Sequence, residues 1–169
     1  MLCICPLPDH WQIVFCNFPD DPTKLAPGRN PHPCLVVDIY DPDPARPDLP
    51  GRVGLVPGTS QGPAGSAKVR AISASEMDVS PSPGTGLSRT TRFKFSQVLA
   101  IPFEDHYFAC SGVRPVHAGK LPDSLVAAAI TAENAAATVI PTAKPIVQIR
   151  KKFGWQPKKP NDSGQSTDD

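Results

Sequence analysis

The sequence of 169 residues has little net charge, few aromatic residues and no long uninterrupted apolar run. The formal net charge is +1, so no overall field attracts a polyanion, and any nucleic-acid site has to be a local patch. The most apolar stretch, residues 125–140, is interrupted by Glu133 and Asn134 and falls short of the ~20 apolar residues that a membrane-spanning helix needs. Residues 1–6 lack the basic and apolar regions of a signal peptide. We therefore expect a soluble, cytoplasmic protein with no membrane partner.

Cysteines at metal-binding spacing are missing as well. The chain has an odd number of cysteines, and its one close pair, Cys3 and Cys5, does not have a usual zinc spacing. Cys16 and Cys34 fall within apolar runs, where a free thiol behaves as a small hydrophobic side chain. We expect no metal and no cofactor, and structural cysteines in a reducing compartment.

Proline and glycine, in contrast, are abundant, with 22 and 12 residues. They argue against a helical bundle and favour short strands joined by loops. Apolar and β-branched runs predict strands over residues 11–18, 34–40, 52–57, 92–103, 106–110 and 113–121, with a weaker signal over 68–73. Alternation within 92–96 places Phe93 and Phe95 inside and their cationic neighbours outside.

One late helix is predicted after these strands. It is expected to begin at Asp123 or Ser124, either of which can cap it, and to end before Pro141. Small residues recur on one of its faces, at Leu125, Ala129, Ala132 and Ala136. The predicted fold class is therefore mainly β, a small β-barrel of five to seven short strands with a C-terminal helix.

The chain is predicted to form one domain, residues 1–145, followed by a tail, residues 146–169. Residues 61–91 are rich in glycine, serine, proline and alanine, and we expect them to form a long flexible loop. The tail has lysines and a tryptophan that could follow a phosphate backbone and stack on a base. A solvated extension is the alternative, and the polar end of the tail is predicted to be disordered.

Polar segments border the second and third predicted strands. Arg29 and His32 precede the second strand, and Thr59 and Ser60 follow the third. If the two strands are neighbours, these side chains converge at one end of the sheet. A guanidinium, an imidazole and two hydroxyls provide hydrogen-bond donors and one group that titrates near neutrality, which suits a phosphate better than a carbonyl.

The segments 32–37 (HPCLVV) and 55–61 (LVPGTSQ) resemble the growth-inhibitor toxins of the PemK/MazF type. The family pattern is Arg-Pro before a buried Ala/Cys-Leu-Val-Val strand, and later a Val-Pro-x-Thr-Ser/Thr corner. Three further segments agree in the same order, so the resemblance is collinear from about residue 11 to residue 136: 12–15 (QIVF), 95–98 (FSQV) and 119–122 (GKLP). The resemblance implies a compact SH3-like barrel of the PemK/MazF/CcdB type that forms a homodimer.

The same resemblance implies a metal-independent endoribonuclease that cleaves single-stranded RNA. In that reaction the 2′-hydroxyl attacks the adjacent phosphate and leaves a 2′,3′-cyclic phosphate and a 5′-hydroxyl. An antitoxin protein is the implied partner. The main alternative is a barrel of the same shape that has lost catalysis and binds RNA or a protein. A weaker third alternative is a structural accessory domain without a ligand.

The sequence departs from the family pattern at three sites. The family's arginine falls at His32, so Arg29 is the only nearby arginine. An acidic residue often found in the same loop falls at Pro27, and one often found in a later strand falls at Ser96. Thr59 and Ser60 are retained. The predicted catalytic residues are His32, Thr59 and Arg29, and the predicted RNA-binding residues are Ser60, Gln61, Ser96 and Lys94.

Each predicted catalytic residue also has an ordinary structural interpretation. Thr59 could be a turn residue whose hydroxyl bonds to its own backbone, and His32 and Arg29 could be solvated loop residues. If His32 is functional, it either acts as the general base or supplies the positive charge of the missing arginine. We favour the charge role, because the loop lacks an acid that would orient a basic imidazole.

Overall fold

The computed structural model describes residues 7–21, 24, 26–41, 51–60, 71–108 and 117–139. These residues form seven strands and one α-helix: β1 (Gln12–Cys16), β2 (His32–Tyr40), β3 (Arg52–Ser60), β4 (Glu76–Val79), β5 (Thr91–Lys94), β6 (Leu99–Pro102), β7 (His117–Lys120) and α1 (Asp123–Val139). A short 3-10 helix, Phe95–Gln97, separates β5 from β6. The prediction of a mainly β fold with one late helix is confirmed. In the ranges above, no helix is long and apolar enough to span a membrane.

The strands form one antiparallel sheet in the order β4-β5-β3-β2-β1-β7, which curls into a half-barrel. Strand β3 is central. It pairs with β2 along one edge, and on the other edge β6 pairs with residues 52–55 and β5 pairs with residues 58–60. The change of partner falls at Pro57, which cannot donate a ladder hydrogen bond. The third strand was predicted to end at this proline, but it continues to Ser60.

Both faces of the central strands are buried. Successive side chains of a strand point to opposite faces, so Leu35 and Val37 lie in one core cluster and Val36 lies in another. The first cluster packs between the sheet and α1, and the second covers the opposite face with residues of β6 and of the segment that follows it. Burial on both faces explains why β2 is a continuous apolar run rather than an alternating one.

The second core removes one basis for the dimer prediction. In the sequence, aromatic and apolar side chains on both sides of the predicted strands favour a two-fold dimer, on the argument that one small core cannot bury both sides. Among the residues described, Ile72 and Ile130 are the exposed large hydrophobic side chains, at 53% and 45% exposure. The described residues of one chain thus bury both faces of the sheet, and the argument that one chain could not do so is wrong for them. A homodimer stays a prediction from the resemblance.

Strand β4 lies inside the segment predicted as a long loop, residues 61–91. Its presence explains why Arg92 is buried. It pairs with β5, placing Asp78 across from Arg92. The carboxylate accepts hydrogen bonds from Arg92 Nε at 2.7 Å and Nη2 at 2.9 Å, and Arg92 is 3% exposed. These bonds are the largest cause of the raised pKa of Arg92. The prediction that Arg92 faces solvent is therefore wrong, because the unpredicted strand supplies a partner for its charge.

Helix α1 lies close to the sheet through small side chains. Ala129, Ala132 and Ala136 are buried, as the predicted face requires. The helix begins at Asp123, whose negative charge suits the positive end of the helix dipole. Its one other charged residue is Glu133. Burial raises the pKa of this carboxyl; the neighbouring Asp38 raises it further, and His10 lowers it.

Three of the other predicted strands differ in their limits. Residues 105–107 form a turn, in which the main-chain nitrogens of Tyr107 and Phe108 donate to the Glu104 oxygen at 3.0 and 3.1 Å, so the predicted strand over residues 106–108 is wrong. The apolar rings there enter the second core from a turn. The run 92–103 is divided by the 3-10 helix, and the strand expected over 113–121 begins at residue 117 in the described part.

Candidate functional site

The first residue of β2 and the last residue of β3 lie at the same end of the sheet. The two strands are antiparallel with Cys34 across from Pro57, and His32 and Ser60 lie just beyond this pair. His32 is thus part of a strand, paired with Cys16 of β1. Ser60 is paired with Thr91 of β5. Strand pairing, rather than a turn, directs these side chains.

A groove of about 610 Å³ opens at this end of the sheet. Its lining comes from five strands and from the segment between β4 and β5. The polar side chains of the lining are His32, Ser60, Ser88, Arg89 and Thr91, and the apolar ones are Phe15, Pro31, Pro33, Leu87 and Ala118. The volume is within the ~300–1,000 Å³ typical of ligand clefts. Such a lining suits a ligand that has both an apolar part and an anionic part.

One wall of the groove, residues 82–89, is held against β7 by close main-chain contacts. Gly86 has a φ of +67°, and a Cβ at this position would lie 2.0 Å from the carbonyl oxygen of Ala118. A Cβ on Gly119 would lie 2.1 Å from the oxygen of Gly84. The main-chain nitrogen of Lys120 donates to that same oxygen at 2.8 Å. Glycine is required here both for the backbone conformation and for the close approach.

Thr85 fixes the same wall from inside. It is fully buried, and its Oγ1 donates to the Ser82 carbonyl at 2.9 Å. The hydroxyl also accepts from the main-chain nitrogens of Ser82 at 3.3 Å and Leu87 at 3.4 Å. At the far end, Thr91 Oγ1 donates to the carbonyl oxygen of Arg89 at 3.1 Å. The part of the predicted loop that borders the groove is therefore a hydrogen-bonded turn.

Two buried thiols lie beside the start of β2. Cys16 is the strand partner of His32, and Cys34 Sγ donates to the His32 carbonyl at 3.6 Å. Both cysteines are free and fully buried. Burial, with a smaller contribution from Cys34, raises the pKa of the Cys16 thiol well above its usual value. A protonated Cys16 thiol is neither a nucleophile nor a metal ligand. The full burial of both side chains agrees with the structural role predicted for these two cysteines.

Of the predicted catalytic residues, His32 lines the groove and Thr59 and Arg29 do not. Ser60 and its partner Thr91 both line the groove, and adjacent residues of a strand point to opposite faces. Thr59 therefore lies on the other face of β3. Arg29 is exposed in the loop before β2, three residues from His32.

Of the predicted RNA-binding residues, Ser60 lines the groove. Lys94 lies three residues beyond Thr91 on β5, about 10 Å along the strand at ~3.3 Å per residue. Ser96 lies in the 3-10 helix, which contacts α1. Neither Lys94 nor Ser96 lines the groove. Gln61 lies outside the described residues.

Sequence reasoning did not predict most residues of the lining, including Arg89 and Phe15. Arg89 falls in the segment predicted as a loop, although the nearby Gly84-Thr85-Gly86 is the kind of sequence that forms a tight turn. Recognising that turn would have indicated an ordered segment. Phe15 belongs to a strand that is apolar on both faces, so its sequence pattern does not distinguish a groove-lining side chain from a core one.

No protein-family model matches the chain, and no curated protein matches it. Among solved structures, the chain is similar to an endoribonuclease in complex with its cognate antitoxin from a mycobacterial species. The identity is 16% and the TM-score is 0.49, over 79% of this chain and 97% of that chain. At this degree of similarity the function has to be argued from the site itself.

Proposed function

We propose that the chain is an endoribonuclease that cuts single-stranded RNA in the groove beside His32, in the cytoplasm. The observation that carries the proposal is that one groove is lined both by apolar side chains, including Phe15, and by polar ones, including His32 and Ser60. An unpaired base can stack against apolar and aromatic side chains while the phosphate contacts the polar ones. The bases of a duplex are stacked and paired, so a single strand suits this groove better. The sequence resemblance described above supports the same class of reaction.

The reaction that suits these groups is an internal transesterification. The 2′-hydroxyl oxygen forms a bond to the adjacent phosphorus, and the bond from phosphorus to the 5′-oxygen breaks. A base takes the proton of the 2′-hydroxyl and an acid gives a proton to the leaving oxygen, so the products are a 2′,3′-cyclic phosphate and a 5′-hydroxyl. His32 is proposed for one of these proton transfers. Ser60 is proposed as the hydroxyl donor to a non-bridging oxygen, in place of Thr59, because Ser60 lines the groove.

We further propose an antitoxin protein that inhibits the enzyme by covering the groove, and a homodimer in solution. Both proposals rest on the family resemblance. A monomer mass by light scattering across micromolar concentrations would contradict the homodimer without affecting the assignment of the groove.

The proposed activity is tested with a 5′-labelled single-stranded RNA and the purified full chain. We expect cleavage at short sequences, and we expect one 2′-deoxy substitution at the cleaved position to block it, because the attacking hydroxyl is then missing. His32→Ala should lower the cleavage rate by ~100-fold or more, the usual contribution of one positioned acid or base. The control is Lys24→Ala, which removes a cation with 77% side-chain exposure and should change the rate less than twofold, as expected for an exposed ion pair.

The outcomes separate the proposed activity from the alternative. Binding of single-stranded RNA without cleavage, under conditions where the protein is folded, would identify a binding module with the same fold. A folded protein that neither binds nor cleaves single-stranded RNA would refute an RNA function for the groove.

A further inference from the structure

We propose that Arg89 provides the positive charge that contacts the phosphate during cleavage, a role for which the sequence offers a protonated His32 and the nearby Arg29. This inference rests on the proposed function. Both Arg89 and His32 line the groove, whereas Arg29 does not. Among the described residues of the lining, Arg89 is the one side chain with a permanent positive charge.

The neighbouring charges leave Arg89 available to a ligand. Arg92, the other arginine of the same segment, is bound to Asp78 by two hydrogen bonds. Arg89 is exposed, and within the part of the chain that is described its side chain makes no ion pair. Its main-chain oxygen is fixed by the Thr91 hydroxyl. A guanidinium in this position can present two parallel donors to a phosphate.

The wall that includes Arg89 is preformed. Gly86 and Gly119 allow the main chains of the wall and of β7 to approach more closely than any other residue would permit. The buried hydroxyl of Thr85 ties the turn together. The main chain of Arg89 is thus held beside the groove before RNA binds, which reduces the reorganisation that its guanidinium needs to contact the phosphate as charge develops there.

The assignment changes the role expected of His32. If Arg89 supplies the fixed positive charge, the imidazole does not have to remain protonated throughout the reaction. His32 is then free to take up or release a proton, as in the reaction above. The two residues would divide between them the work that the sequence analysis assigned to a charged histidine.

The test compares four single-residue variants of the full chain under single-turnover conditions. Arg89→Ala should slow cleavage by ~100-fold or more, the loss typical of one transition-state donor, while affinity for an uncleavable 2′-O-methyl RNA falls much less. Arg89→Lys should recover part of the rate, because it keeps the charge without the two parallel donors. Lys24→Ala is the control for general loss of positive charge. Arg29→Ala is the rival assignment and should have a smaller effect than Arg89→Ala.

An Arg29→Ala enzyme that is impaired, with Arg89→Ala at the wild-type rate, would overturn the proposal. Equal losses of cleavage rate and of RNA affinity in Arg89→Ala would also overturn the proposal, since they would indicate that Arg89 only attracts RNA electrostatically. A second measurement follows the side-chain Nε resonances of arginine by NMR during titration with the 2′-O-methyl RNA and with inorganic phosphate. The Arg89 resonance should shift and the Arg29 resonance should not. If the wild type cleaves no RNA, the proposed function fails, and an unmoved Arg89 resonance then also refutes the anion contact.

Discussion

Gly86→Ala should displace the wall of the groove and thereby slow RNA cleavage. A Cβ at this position would lie 2.0 Å from the carbonyl oxygen of Ala118, whereas ordinary van der Waals contact begins at 3.4 Å. The new methyl group and that oxygen therefore have to separate by about 1.4 Å, the difference between these two distances. A displacement of about 1 Å in a catalytic group can cost ~100-fold in rate. Alanine at a φ of +67° costs a further ~1–2 kcal/mol of folding stability.

Gly84→Ala is the matched control for the backbone effect. Gly84 also has a positive φ, +90°, but a Cβ there would meet nothing within 4 Å. Gly84→Ala should lose ~1–2 kcal/mol in chemical denaturation, because it forces alanine into the left-handed region, and Gly86→Ala should lose more, because its methyl group also has to separate from the Ala118 oxygen. Only in Gly86→Ala should the cleavage rate fall by about two orders of magnitude. Its effect should also shrink strongly in an Arg89→Ala background, because the displaced group is then already absent.

Wild-type cleavage by a folded Gly86→Ala enzyme would refute this account of the wall. So would equal loss of cleavage in the two glycine variants, which would show that stability rather than position is responsible. Full additivity with Arg89→Ala would show that the wall acts on some other residue.

Three further predictions concern the fold that supports the groove. Asp78→Ala should lower the free energy of unfolding by about 2–4 kcal/mol in urea denaturation, because it leaves the buried charge of Arg92 without its partner, and an unchanged midpoint would contradict this. Glu133→Gln should melt at a higher temperature than wild type at pH 7 and at nearly the same temperature near pH 4. Because its pKa is raised in the folded state, the Glu133 carboxyl holds its proton more tightly there than in the unfolded state, so wild-type stability falls as pH rises above the ordinary carboxyl range. A difference in melting temperature between variant and wild type that is the same at pH 4 and pH 7 would refute this. Cys16 and Cys34 should resist alkylation by iodoacetamide at pH 8 in the native protein and react after denaturation, which peptide mass spectrometry would detect.

The sequence was informative where one local pattern determines the structure. The apolar run of β2 indicates a strand buried on both faces, and the alanine spacing of α1 indicates a helix that lies close to a sheet. The sequence predicted His32 and Ser60 to be close on the condition that β2 and β3 are neighbours. The two strands do pair, and both residues line the groove.

The features that the sequence did not predict depend on contacts between segments that are distant in the sequence. Strand β4 is only four residues long, and its pairing with β5 is not visible in its own pattern. Because β4 was not predicted, Arg92 had no predicted partner for its charge, and the alternating pattern of β5 indicated that its side chain faces solvent. The continuation of β3 past Pro57 likewise depends on β5, and this continuation turns Ser60 to the groove and Thr59 away from it. Arg89 became recognisable only once the turn that includes Thr85 was seen against β7.

The chemistry of the RNA ends tests the central claim most directly. A defined single-stranded RNA would be incubated with the full chain, with and without a metal chelator, and the fragments would be analysed by mass spectrometry. We predict a 2′,3′-cyclic phosphate on one fragment and a 5′-hydroxyl on the other, formed at equal rates with and without the chelator and lost in His32→Ala. Fragments with a 3′-hydroxyl and a 5′-phosphate, or the same cleavage by His32→Ala, would contradict the account.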